Sequence, residues 1–120
     1  MEGREKLLRK LNEAFADCNT KFLADSVTDD IRWIIVGEKI ISGRSEFESS
    51  LDRMKHGGPM QITVSEMISH QERSIVEGVV EFQVEPGKKR KYAFCDIYIF
   101  SGNKGKVKEL RTYVTQIKKA

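Results

Sequence analysis

Apolar residues recur at intervals of three and four along the first part of the chain, and at intervals of two along the last. Leu7, Leu8, Leu11, Phe15 and Cys18 are spaced in the first way with charges between them, which predicts an amphipathic helix. The stretch "NTKFLADSV" predicts a second short helix, with Asn19 placed to cap it. "TDD" then breaks the helix, and "IRWIIVGEKIISG" opens a strand with Ile31, Trp33 and Ile35 on one face and Arg32, Ile34 and Val36 on the other. Gly37-Glu38 reads as a tight turn into a short strand from Lys39 to Ile41. A third helix follows in "SGRSEFESSLDRM", with Ser45 as N-cap, Glu48 at capping-box spacing and Phe47, Leu51 and Met54 on its buried side. After the loop "KHGGPM" the period becomes two, and strands are expected from Met60 to Ser69, Ser74 to Glu85, Lys91 to Ser101 and Lys106 to Lys118. Their connections, "HQER", "EPGKK" and "GNKG", are of hairpin type.

Helices first and consecutive strands afterwards predict an α+β domain over residues 1–120, in which one curved antiparallel sheet wraps N-terminal helices. The strand "YAFCDIYIF" adds a constraint. It is apolar on both faces, with Tyr92, Phe94, Asp96, Tyr98 and Phe100 on one side and Ala93, Cys95, Ile97 and Ile99 on the other. One face packs on the helices; the other calls for a cover that the chain has no spare helix to supply. A homodimer through the outer sheet face is therefore expected.

Composition narrows the function classes. Hydrophobic residues make up 39% and charged residues 32% of 120 residues, enough for one packed core. Twenty-one basic and 18 acidic residues give a net charge of +3, too balanced for a nucleic-acid binder, and the one dense run, "KKRK" at Lys88–Lys91, reads as a solvated hairpin tip. No window approaches the ~20 apolar residues that span a bilayer, and "MEGREKLLRK" has no apolar signal core, so the expectation is a cytoplasmic protein away from membranes. Cys18 and Cys95 lack metal-ligand spacing and read as buried free thiols; no metal or cofactor is expected.

Two segments in the predicted order carry a family resemblance: "VTDDIRWIIVGEKIISGRSEFESSL" and "IFSGNKGKVKELRTYVT". Together they resemble the nuclear transport factor 2-like superfamily, in its SnoaL-like and ketosteroid isomerase-like branch. The resemblance implies a cone-shaped α+β barrel with a pocket between helices and concave sheet, and usually a homodimer. Carried over position by position, it puts the isomerase base at Ile35 and the oxyanion-donating tyrosine at Leu11, neither of which can act. It puts the third group, an aspartic acid held neutral in an apolar site, at Asp96. Steroid isomerisation is thus not expected, and Thr115 stands where many relatives carry an acid. Epoxide opening would need paired acids with an arginine, which the spacing does not assemble.

Asp96 is the candidate catalytic residue, since an acid among aromatic neighbours should have a raised pKa. The expected pocket comprises Leu11, Phe15, Trp33, Ile35, Phe94, Tyr98 and Val114, several of which would serve equally as plain core. His56 and His70 lie in predicted loops, without a nucleophile context. Arg111 and Tyr113 fall on the outer face and suit a subunit contact. The leading expectation is a homodimeric domain binding a small apolar or amphipathic molecule, with acid–base isomerase, hydrolase or cyclase chemistry without metal if it is an enzyme. The alternative is a protein-interaction or assembly module whose cone is filled by its own side chains.

Overall fold

The computed structural model describes residues 2–102 and 105–118. Helices α1 (Glu2–Asp17), α2 (Thr20–Asp25) and α3 (Arg44–Lys55) pack on a curved, unclosed sheet of six strands. These are β1 (Val27–Ile35), β2 (Lys39–Ser42), β3 (Gln61–His70), β4 (Arg73–Glu85), β5 (Lys88–Phe100) and β6 (Val107–Gln116). Their order is β2-β1-β6-β5-β4-β3. Four neighbouring pairs are antiparallel, but β1 and β6 run parallel, with Trp33 level with Leu110 and Ile35 level with Thr112. The expected all-antiparallel sheet is in this respect corrected. Hairpin connections fix the directions of β3 to β6 relative to one another, whereas β1 joins the sheet only through the last strand.

Local chemistry sets the helix ends. Cys18, at φ 56°, leaves the helical region and ends α1. Asn19 caps α2, its side-chain oxygen accepting from the Phe22 N–H at 3.2 Å. The "TDD" segment is not a break but part of β1. α2 already closes at Ser26, whose hydroxyl donates to the Phe22 carbonyl at 2.7 Å, so the chain is extended from Val27 onward. Asp29 and Asp30 are exposed strand residues, and the Arg44 guanidinium reaches the Asp29 carboxylate at 2.5 Å and the Val27 carbonyl at 2.6 Å.

Ser45 is not the N-cap of α3; Gly43 is, and no side chain caps it. Gly43 holds φ 87° and ψ 154°, a backbone state that glycine alone adopts without strain. There its N–H donates to the Ile31 carbonyl at 2.7 Å while its carbonyl accepts from Phe47 at 3.0 Å, turning the end of β2 directly into the helix. "KKRK" belongs to the ladder of β5 rather than to the turn, which is reduced to Pro86-Gly87; its four side chains are exposed. The two central residues of "GNKG" lie outside the described residues.

The core forms where the concave face of the sheet meets the helices. Val76, Tyr98, Phe100 and Leu110 pack with Leu8, Leu11, Leu23 and Phe47, all buried. At one end of this core Arg4 lies 4.0 Å over the Phe100 ring and donates to Ser74 Oγ at 3.1 Å, fastening the start of α1 to the sheet. Curvature has a visible source in β4. Gly78 sits where β3 slips register between Val64 and Glu66. A Cβ at Gly78 would collide with the Thr63 carbonyl oxygen and stand 3.0 Å from Val64 Cα and 3.1 Å from the Phe94 ring. The two strands thus approach more closely than any side chain allows. Among the described residues no helix is long and apolar enough to cross a membrane.

Candidate functional site

The period of two in β5 turns Phe94, Asp96, Tyr98 and Phe100 toward the helices, and β6 places Val114, Thr112 and Leu110 directly opposite the first three of them. Beside them a cavity of about 110 Å³ opens between α1 and the sheet. Asn12 and Phe15 form its helical wall, and Trp33, Met60, Ile62, Val80, Phe94, Asp96, Leu110, Thr112 and Val114 complete the lining. Of the expected pocket residues the structure brings together Phe15, Trp33, Phe94, Asp96 and Val114. Leu11, 2% exposed, and Tyr98, 1% exposed, lie in the core behind the wall, and Ile35 packs at the core's edge without reaching the cavity. Neither His56 nor His70 lines it.

Several lining residues are not among those the sequence predicts. Leu110 and Thr112 share the Val114 face of β6, so strand alternation contains that signal. Asn12 is detectable as a polar residue beside the apolar stripe of α1; it is 6% exposed and its amide nitrogen donates to the Leu8 carbonyl at 2.8 Å. Met60 and Ile62 are set by the curl of the chain over α1 as it enters β3, where the Met60 N–H donates to the Ala16 carbonyl at 2.9 Å, and Val80 on β4 is level with Ile62; no local pattern announces it.

The polar chemistry of the cavity converges on Asp96. Its Oδ1 is out of reach of solvent and has no hydrogen-bond partner among the described residues. Across the ladder, Thr112 Oγ1 accepts from Trp33 Nε1 at 2.8 Å. A hydroxyl has one proton to give, and with its oxygen engaged by Trp33 that proton is available to the Asp96 carboxylate. Burial pushes the Asp96 carboxyl up to about 7, while the Thr112 hydrogen bond acts against that rise by favouring the ionised form. Tyr98, two residues along, has a fully buried hydroxyl with no partner among the described residues. Burial, and next the negative charge of Asp96, push that phenol well above its ordinary range. Thr112→Val should therefore move the Asp96 titration to higher pH, followed through the carboxyl carbon signal in NMR, while Trp33 loses its acceptor.

Among the described residues the wall holds one carboxylate and no arginine, lysine or histidine, so the acid pair with arginine that epoxide opening requires is not assembled here. Nor do three His, Cys, Asp or Glu side chains gather among them to hold a metal ion.

The family model for the SnoaL-like domain matches residues 8–110. No curated protein matches the sequence. Among solved structures, the chain is similar to an NTF2-like protein of unknown function from Cytophaga hutchinsonii, at 20% identity and a TM-score of 0.75, covering 92% of this chain and 98% of that one. It is similar to an LEH-like epoxide hydrolase of M. tuberculosis, at 14% identity and a TM-score of 0.81, over 92% of this chain and 80% of the other. The epoxide hydrolase/cyclase-like enzyme SalBIII, which has a role in pyran ring formation in the polyether salinomycin, gives 13% identity and a TM-score of 0.84, over 95% and 92%. At these identities the likeness is one of fold.

Proposed function

The chain belongs to the SnoaL-like domain family, and from that premise we propose that it binds a small apolar or amphipathic molecule in the cavity between α1 and the concave sheet, with Asp96 as the polar anchor. The observation that carries this reading is a buried carboxyl, Asp96, in a largely apolar wall, its Oδ1 without a partner among the described residues. Buried polar atoms are nearly always hydrogen-bonded, and we read this exception, beside a cavity, as a group kept for a ligand. A volume of about 110 Å³ suits a body of roughly benzene size in the inner part. Phe15 and Trp33, which would close a self-filled cone, instead line a cavity, and this favours a ligand over a pure assembly module. If turnover occurs, one acid of raised pKa supports a single proton transfer. Steroid isomerisation lacks a base, since Ile35 occupies the position that the family resemblance assigns to it.

The test is a thermal-shift and NMR survey of benzene-sized neutral and charged compounds. At least one should raise the melting temperature of the wild type and perturb Asp96 and Trp33, and Val80→Phe, which fills the cavity from β4, should abolish both effects. A survey in which nothing binds the wild type overturns the reading.

We further propose a homodimer through the outer sheet face. What supports it is a group of apolar residues on the convex surface, with Ile75 38% and Tyr113 45% exposed and Cys95 and Ile97 half-buried between them, flanked by Glu77 and Arg111. Light scattering should give about twice the 13.8 kDa chain mass, and a monomer would remove the proposal.

A further inference from the structure

We propose that the molecule taken by the cavity is a protonated amine on a small apolar or aromatic body, its ammonium group seated against Asp96. The inference rests on the cavity reading above and names the ligand's chemical class.

Donors in the wall are largely spent while acceptors remain. The Trp33 N–H is occupied by Thr112. The Thr112 hydroxyl is level with Asp96 and hydrogen-bonds its carboxyl, and one of the two Asn12 amide protons goes to the Leu8 carbonyl. What these side chains can still offer is mainly acceptor capacity: the Asp96 carboxyl and the side-chain carbonyl of Asn12, both of residues that line the cavity. An ammonium group is all donor, with three protons to give. Charge points the same way. The wall carries one ionisable group, a carboxylate, and no cation. The neighbouring groove on α1 holds Arg9, but that guanidinium is paired with Glu5 at 3.0 Å and stands beside Glu13. The apolar walls add to it: the Phe15 and Trp33 rings lie 5.7 Å apart, inclined at 55°, with Phe94 also lining the space. A cation is attracted wherever an aromatic wall presents a ring face to it.

A neutral ligand with a carbonyl would need the opposite state, Asp96 protonated and donating, so the pH dependence of binding separates the two classes. The groups around Asp96 are few. Tyr98 on β5 and Cys95 on its outer face are both raised by burial, and stay neutral near pH 7. Glu77 on β4 lies toward Cys95, while α1, β1 and β6 present Asn12, Phe15, Trp33 and Thr112, which do not titrate. An alkyl amine, like a lysine side chain, keeps its proton well above pH 7.

The experiment compares benzylamine with benzyl alcohol by calorimetry on the full chain at pH 6 and pH 8. With Asp96 titrating at about 7, its ionised fraction rises from roughly a tenth to nine tenths across that interval. Benzylamine should therefore bind about tenfold more tightly at pH 8 than at pH 6, benzyl alcohol should show no such gain, and Asp96→Asn should erase the difference. Alcohol binding equal to the amine at pH 8, or amine affinity that fails to rise with pH, overturns the proposal and leaves the cavity reading standing. Binding of neither compound, together with an empty survey of other small molecules, overturns both.

Discussion

Gly78→Ala is expected to lower stability by about 3 kcal/mol, which for a domain of this size means a melting temperature roughly 10 °C below wild type. The magnitude follows from what the new methyl group meets. Two of the three nearest atoms, the Thr63 carbonyl oxygen and Val64 Cα, are backbone, and the third belongs to the buried ring of Phe94. A flexible side chain can rotate away, but a hydrogen-bonded strand can yield only by moving. Differential scanning calorimetry checks the loss, and the same variant should weaken any ligand of the cavity, because Phe94 and Ile62 would move with the strand. A melting temperature within a degree or two of wild type would mean that the curl of β3 over β4 is not set at Gly78.

The second large effect runs in the stabilising direction. Asp96 holds its proton in the folded state up to about pH 7, whereas in the unfolded chain an aspartic acid loses it near pH 4. Between those values the folded state binds more protons than the unfolded, so stability falls as pH rises from about 4 to 7 and stays low above. A carboxyl lifted that far corresponds to roughly 4 kcal/mol as an upper bound, since the residue as a whole is only half-buried. Asp96→Asn carries no charge at any pH. It should melt several degrees above wild type at pH 8 and close to wild type at pH 4, in parallel chemical denaturation series. Equal stability of the two proteins at pH 8 would show the carboxylate to be well solvated and its anchoring role unsupported.

Much of this architecture is legible in the chain itself. The change of period from 3.6 to 2 separates the helices from the strands, and alternation along β5 and β6 puts Phe94, Asp96 and Val114 on the concave face. Where local pattern misleads, a non-local or backbone cause is at work. "TDD" looks like a breaker by composition, yet Ser26 has already closed α2, and Arg44 from the start of α3 holds Asp29 in the strand. Ser45 with Glu48 has the spacing of a capping box, but Gly43 can make a corner that serine cannot. Leu11 and Tyr98 fall on the expected side of their elements. What alternation cannot say is depth: both lie beneath the cavity wall rather than in it. The three-member line from Trp33 through Thr112 to Asp96 joins three strands, two of them parallel neighbours from opposite ends of the chain, and no local window contains it.

That parallel pairing has a consequence for how the protein is made. β6 is synthesised after the other five described strands, and it lies between β1 and β5. A growing chain that has not yet delivered Val107–Gln116 therefore owns two separate sheet fragments, β2-β1 and β5-β4-β3, each with an open edge. Contacts of such long sequence separation close slowly and leave edges exposed to wrong partners meanwhile. The final strand works as a keystone: until it is inserted, neither the sheet nor the wall that carries Thr112 exists.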